Sequence, residues 1–123
     1  MQRKIIFLSE THEGKMHDKK IADEEPITFE KETELLQDSG FTGHHPENAK
    51  VRQPYKNTKL NKLTDEQKNE NKTQASKRVR VEHAICGVKR LRIVKDIFRN
   101  RRDGMIDLSM QVACGLHNLR IAA

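Results

Sequence analysis

Apolar and polar positions divide the first third of the chain into short elements. Lys4 to Ser9 (KIIFLS) is a compact apolar run rich in strand-forming residues, and it predicts a buried strand. Lys15 to Glu24 carries apolar residues at helical spacing, which predicts a short helix that ends before Pro26. Thr33 to Asp38 (TELLQD) predicts a second strand, ended by a Ser-Gly turn.

The rest of the chain is predicted to be mainly helical. Residues 43–63 are rich in Pro, Asn and charge, and they predict a basic, loop-rich insert with room for one edge strand. Thr64-Asp65-Glu66-Gln67 is a capping-box sequence, so a helix is expected to begin here and to run past residue 90. Its predicted apolar stripe is Val81, Ile85 and Val88, and Gly87 indicates a close contact. A last helix is expected from Ile106 to His117, which gives an α/β class with too few strands for a complete sheet.

Composition limits what such a chain can be. It has 123 residues, 34% of them hydrophobic, and no Trp, so we expect one small domain with a thin core. No apolar run is long enough for a membrane span or a signal peptide, and we therefore expect a cytoplasmic protein without a membrane partner. Cys86 and Cys114 lack metal-site spacing and are expected to be reduced and buried.

The formal charge of +6 hides a strong asymmetry. Residues 1–49 hold 6 basic and 11 acidic side chains, whereas residues 50–102 hold 17 basic and 5 acidic ones. Such a basic block favours a polyanionic partner, nucleic acid first, because each neutralised phosphate releases counterions. Aromatic residues are scarce, so contact with the duplex backbone is favoured over stacking on bases. A solvated basic surface without a partner is the alternative.

Two carboxylates are candidates for chemistry. On a helix, Glu82 lies beside the apolar stripe and one turn from Arg78, and it is expected to point toward the body of the protein. It is either an ion-pair partner of Arg78 or Lys89, or a metal ligand that requires a second carboxylate. Asp38 is the best second carboxylate, because it closes a predicted strand at the carboxyl end, where α/β sheets place ligand sites. A purely turn-forming role for Asp38 stays open as well.

Three stretches in chain order carry a family resemblance: KIIFLSETHEGKMHDKKIADE, LLQDSGFTG, and RVRVEHAICGVKRLRIVKD followed by DLSMQVACGLHNLR. Together they resemble the C-terminal end of the DDE transposases of bacterial insertion sequences, in the insertion-sequence-five group related to Harbinger-type endonucleases. The family signature Tyr-x-x-Arg-x-x-x-Glu-x-x-x-x-x-x-Lys is matched by Arg78, Glu82 and Lys89. Ala75 stands where that signature has Tyr.

The resemblance implies a ribonuclease-H-like fold and DNA transposition. Asp38 and Glu82 would be two of three catalytic carboxylates that hold two Mg²⁺ (or Mn²⁺) ions for phosphodiester cleavage and strand transfer. The expected partner is double-stranded DNA at transposon ends, at the nucleoid of a bacterial cytoplasm. Its phosphates would be bound by Arg78 and Lys89, with neighbouring contacts from Arg80, Arg90 and Arg92.

In one respect the sequence departs from the family. The first catalytic Asp of such transposases precedes the strand matched by residues 4–9, and only Gln2 and Arg3 stand between Met1 and Lys4. We therefore expect residues 1–123 to be a C-terminal portion of the catalytic domain with an incomplete fold. Alone it would be inactive, and it would need a separately made N-terminal fragment or an intact transposase subunit. Asp18 is expected only to cap a helix.

Two other interpretations stay open. The chain could be a non-enzymatic basic nucleic-acid-binding protein, in which Asp38 and Glu82 are structural. It could also be the product of a decaying reading frame that never folds.

Overall fold

The computed structural model describes residues 3–123, which form two compact units. We call His12–Ser76 the central unit, and the residues up to Thr11 together with Lys77–Ala123 the terminal unit. The described residues contain helices α1 (Asp18–Glu24), α2 (Asp65–Lys89), α3 (Arg92–Lys95) and α4 (Met105–Ala122), strands β1 (Thr33–Leu36) and β2 (Ala49–Arg52), and a 3₁₀ turn (Ser39–Phe41). This mixed α/β set is compatible with a partial nuclease-like fold.

The central unit is built around a parallel pair of strands. β1 pairs with β2 from Thr33 opposite Ala49 to Leu36 opposite Arg52. The Gln37 N–H continues the pairing by donating to the Arg52 carbonyl at 3.0 Å. The strand predicted to start at Thr33 is thus confirmed as β1. The strand β2 is the edge strand that the prediction for residues 43–63 allowed. Because the strands are parallel, their carboxyl ends meet at one edge.

The capping box predicted at the start of α2 is present. The Thr64 N–H donates to Gln67 Oε1 at 3.1 Å, and the Gln67 N–H donates to Thr64 Oγ1 at 3.3 Å. The expectation that this helix runs past residue 90 is wrong, since α2 ends at Lys89. Leu91 leaves the helical conformation and packs on the small core together with Val88, so the chain turns there.

In the terminal unit a thin core lies between α2 and α4. Its buried residues are Val88, Ala113 and Cys114, with Ile5, Leu91, Val94 and Met110 packed around them. The close contact indicated by Gly87 is confirmed. A methyl group at Gly87 would lie within 2.6 Å of His117 Cε1 and 2.9 Å of a terminal guanidinium nitrogen of Arg120. Only glycine lets the two helices approach so closely at this point.

The segment from Lys4 to Ser9 does not form the predicted buried strand. Side chains of α4 hold this part of the chain instead. Asn118 Oδ1 accepts from the Ile5 N–H at 2.8 Å, and Asn118 Nδ2 donates to the Ile5 carbonyl at 2.7 Å. His117 Nε2 donates to the Arg3 carbonyl at 2.8 Å. A strand needs a neighbouring strand to which its main chain can hydrogen-bond. Within residues 3–123, side chains of α4 make the hydrogen bonds to this segment instead, and Ile6 is 87% exposed.

Both cysteines are free thiols, but only one is buried as expected. Cys114 lies in the core, where burial raises the pKa of its thiol and keeps it unreactive. Cys86 is exposed, because α2 buries Ala84, Gly87 and Val88 on its other side. In the described range 3–123, none of the helices is both long and apolar enough to cross a membrane.

Asn118→Ala should lower the free energy of unfolding by roughly 1–3 kcal/mol, because it removes two hydrogen bonds from the part-buried main chain of Ile5. Urea denaturation would measure the loss. Gln111→Ala, at an exposed position of the same helix, is the matched control and should change stability by less than about 0.5 kcal/mol. Equal effects of the two substitutions would show that the Asn118 amide does not anchor the segment.

Candidate active site

Asp38 lies where the sequence predicted it, just beyond the carboxyl end of β1. Buried Gln37 separates it from the strand, and Asp38 caps the 3₁₀ turn, accepting from the Ser39 N–H at 2.6 Å. The turn-forming role of this Asp is therefore real. It does not exclude metal ligation, because a carboxylate has two oxygens and about four lone-pair directions.

Helix α1 packs directly against the turn that follows Asp38. A methyl group at Gly40 would lie 2.6 Å from Asp18 Oδ2, so any larger residue there would have to displace that carboxylate. The expectation that Asp18 caps α1 is wrong, because the N-cap is His17, whose Nδ1 accepts from the Lys19 N–H. Asp18 occupies the first helical position, from which it reaches the turn.

A second set of polar contacts holds the far end of the same turn. Asp23 Oδ1 bonds to His44 Nδ1 at 2.6 Å, and Asp23 Oδ2 accepts from Lys19 Nζ at 2.5 Å. Hydrogen bonds from Lys19 and then His44 lower the pKa of the Asp23 carboxyl below its ordinary 3.8. Asp23, His44 and His45 line an open depression of about 300 Å³. His44 is thus a structural partner of α1.

Glu82 does not point toward the body of the protein, as the sequence had suggested. It is exposed on α2, and so are its stripe neighbours Val81 (54%) and Ile85 (44%). The helix instead buries Ala84, Gly87 and Val88, which lie roughly opposite Glu82 at about 100° per residue. Of the predicted stripe, only Val88 is buried; Ala84 and Gly87 take the other buried positions, and Gly87 lets His117 of α4 come close.

The predicted DNA-binding side chains all belong to the terminal unit and are all exposed: Arg78, Arg80, Lys89, Arg90 and Arg92. Helical geometry puts Arg78 and Lys89 on the same face as Glu82, whereas Arg80 projects from the opposite side. Arg92 also pairs with Asp96, with Arg92 Nε 3.0 Å from Asp96 Oδ2. Basic side chains therefore lie on the helix face that carries Glu82 and also elsewhere on the terminal unit.

A hard divalent ion would fit the donor chemistry of these carboxylates, since Mg²⁺ prefers oxygen ligands. Within residues 3–123, however, no group of three or more His, Cys, Asp or Glu side chains is arranged to hold a metal ion. Asp38 and Glu82 can each supply part of a ligand set, but the described residues do not assemble a complete one.

Comparison with known families decides the kind of protein. The family model of the DDE superfamily endonucleases matches residues 1–118. The chain belongs to this family. Searches among curated proteins and among solved structures gave no match.

As a DDE endonuclease, the chain carries a transposase-like nuclease domain, and the family implies DNA as the substrate class and a divalent metal as the usual cofactor. The resemblance noted from the sequence is confirmed at this level. The anchoring role of Asn118 was missed, because a single Asn within a helix has no distinguishing pattern. The closeness of Asp18 to Gly40 was signalled only by a glycine in a turn, and glycine is common in turns for purely conformational reasons.

Gly40→Ala should destabilise the protein by roughly 0.5–1.5 kcal/mol, because the added methyl group forces the exposed Asp18 side chain out of its present rotamer. Thermal unfolding followed by circular dichroism would measure it. The control is Gly14→Ala, where the added methyl group would have no neighbour within 4 Å, so stability should be unchanged or slightly higher. A Gly40 variant as stable as the Gly14 variant would contradict the proposed packing of α1 on the turn.

The Asp23 carboxyl should titrate below 3.8, as followed by its carbon chemical shift in NMR. A pKa that is lower in the folded state stabilises the fold above the ordinary value, and this contribution disappears as the pH falls through the lowered pKa. Lys19→Met should move the midpoint back toward 3.8, because it removes the main cause of the shift. Lys20→Met, which removes the partner of Glu24, should not. A wild-type midpoint at or above 3.8 would rule out this network.

Proposed function

We propose that this chain is part of the catalytic domain of a DDE transposase that cleaves and joins DNA at transposon ends. The observation that carries the proposal is the family match over residues 1–118. The position of Asp38 at the carboxyl edge of a parallel strand pair supports it, because ligand sites of α/β sheets lie at that edge. The finer assignment, to the insertion-sequence-five group with a ribonuclease-H-like fold in a bacterial cytoplasm, rests on the sequence resemblance.

DNA binding is assigned to the exposed bases Arg78, Arg80, Lys89, Arg90 and Arg92. Each contact with a phosphate releases counterions, so affinity should fall steeply as salt rises. Arg78 and Lys89 share a helix face with Glu82, so they would bring the phosphodiester backbone to that carboxylate. The positive charge thereby offsets the repulsion between DNA and the acid.

Asp38 and Glu82 are proposed as two of the three carboxylates that would hold two divalent ions. When bound, one Mg²⁺ or Mn²⁺ ion would activate the attacking oxygen and the other would stabilise the leaving oxygen of the phosphodiester. Asp38 is suited to this role because its side chain is oriented by the hydrogen bond that Oδ1 accepts from the Ser39 N–H, and because α1 packs on the turn that it caps. Glu82 is suited because it is exposed and can meet a ligand that arrives with DNA.

A third carboxylate is needed for the complete reaction, but residues 3–123 contain no group of three or more His, Cys, Asp or Glu side chains arranged to hold a metal ion. We therefore propose that another polypeptide, an N-terminal fragment or an intact transposase subunit, supplies it, and that residues 1–123 do not cleave transposon ends by themselves. The alternative is a non-enzymatic DNA-binding protein. It is favoured by the capping role of Asp38 and by the lack of a three-residue metal group among residues 3–123.

Glu82→Gln separates the two functions. In a complex reconstituted with the N-terminal portion, it should reduce metal-dependent cleavage of element ends by at least roughly 100-fold, equivalent to about 2.7 kcal/mol of transition-state stabilisation. DNA affinity and its dependence on salt should change little, because the phosphate-binding side chains are intact. Glu66→Gln, which neutralises another exposed acid of α2, is the matched control and should cleave normally.

Cleavage by the Glu82 variant at the wild-type rate would refute the catalytic role of Glu82, whereas a wild-type complex that binds DNA but does not cleave it would favour the DNA-binding alternative. Cleavage of element ends by the wild-type chain on its own would refute the requirement for a second polypeptide.

A further inference from the structure

Tyr55 leaves the strand pair at the same edge as Asp38. It follows the end of β2 by three positions, and Asp38 follows the end of the parallel strand β1 by two. A hydrogen bond joins the segments that follow the two strands: Gln53 Nε2 donates to Gln37 Oε1 at 3.0 Å. The next residue, Lys56, reaches Thr42 Oγ1 at 3.4 Å, at the end of the turn that Asp38 caps. The segment that carries Tyr55 is therefore fixed beside the Asp38 turn.

The main chain of Tyr55 is hydrogen-bonded to a side chain of α2. Asn71 Oδ1 accepts from the Tyr55 N–H at 2.9 Å, and Asn71 Nδ2 donates to the Tyr55 carbonyl at 3.0 Å. Pro54 further restricts the chain, because its ring fixes one backbone dihedral. The hydroxyl bonds to Glu70, whose carboxylate raises the pKa of the phenol. Tyr55 is thus held at its main chain and at its hydroxyl.

Although it is fixed in this way, Tyr55 is 44% exposed. A ring that only filled a core would be buried, and a ring that only covered the surface would not need an anchored main chain. Rigid aromatic side chains that are ordered before binding lose little entropy when a flat ligand stacks on them. The arrangement is therefore suited to contact with a planar partner.

Charge around Tyr55 indicates which partner. Residues 50–63 contain five bases and no acid: Lys50, Arg52, Lys56, Lys59 and Lys62. Lysine is depleted in protein–protein interfaces, whereas it is typical of surfaces that follow a phosphate backbone. An aromatic ring among such bases is the arrangement that binds unpaired nucleotides, with the ring stacking on a base and the lysines contacting phosphates.

We propose that Tyr55 is a stacking platform for an unpaired nucleobase at the DNA end, beside the phosphates bound by the basic segment 50–63. The inference rests on the proposed DNA-processing function and adds a feature of the substrate, an unpaired or splayed nucleotide next to the Asp38 turn. It also gives the chain an aromatic contact with bases, which composition alone had disfavoured.

The chain contains one Tyr and no Trp, so its intrinsic tyrosine fluorescence comes from Tyr55 alone. The full chain would be titrated at low salt with a duplex carrying a short single-stranded end, with the same duplex fully paired, and with the duplex carrying an abasic overhang. Fluorescence anisotropy of labelled DNA would give the affinity in the same samples. We expect quenching that saturates with binding only for the overhang that carries bases.

Variants test the stacking itself. Tyr55→Leu should weaken binding of the base-carrying overhang by roughly 10-fold or more, to the level that the wild type shows for the abasic overhang. Tyr55→Phe should bind like the wild type, because it keeps the ring and loses only the hydroxyl contact with Glu70. Far-ultraviolet circular dichroism of each variant would confirm an unchanged helix content.

The outcomes separate this inference from the function on which it rests. Binding of the overhang without quenching, or equal affinity of the Tyr55→Leu variant and the wild type, would refute stacking while leaving DNA processing intact. Equal quenching by the paired duplex would also refute it, since no unpaired base is then needed. Failure to bind any of the three DNAs at low salt would refute both proposals.

Discussion

An asparagine side chain takes the place of a neighbouring strand in each of the two units. In the terminal unit the Asn118 amide bonds both the N–H and the carbonyl of Ile5, and in the central unit Asn71 does the same for Tyr55. A carboxamide presents one acceptor and two donors, so it can pair with the main chain of an extended residue as a strand would. In a chain with so few buried apolar side chains, such bonds decide where the segments outside helices and strands lie.

Contacts within the central unit position the residues proposed for metal and DNA binding. Asp38 lies at the carboxyl edge of the parallel strand pair, and the Asp18 contact with Gly40 fixes the turn beyond it. Asn71 fixes Tyr55 at the same edge. Charge is divided correspondingly: acids predominate before residue 50, and bases from residue 50 to 102. Carboxylates attract the metal but repel DNA, whereas basic side chains attract DNA, so a nuclease needs both.

Local signals in the sequence were sufficient for some elements and not for others. The capping box at Thr64, strand β1 and the position of Asp38 depend on residues close in sequence, and they could be predicted. The strand expected at residues 4–9 was wrong because strand formation requires a neighbour that the local pattern does not show. Similarly, the buried face of α2 depends on how closely α4 approaches at Gly87. Of the predicted stripe only Val88 is buried, whereas Val81 and Ile85 are exposed, so the stripe misplaced Glu82.

We propose that Asp38 and Glu82 belong to one site for divalent metal ions, and iron-directed cleavage tests this most directly. Fe²⁺ would replace Mg²⁺ in the complex with transposon-end DNA and the N-terminal portion. Added hydrogen peroxide would oxidise the bound Fe²⁺ and yield hydroxyl radicals, which would cut the polypeptide near the ion. Mass spectrometry should then find cuts beside residues 38 and 82, both suppressed by excess Mg²⁺. Cuts near only one of the two carboxylates, or only beside His44 and His45, would contradict a shared metal site.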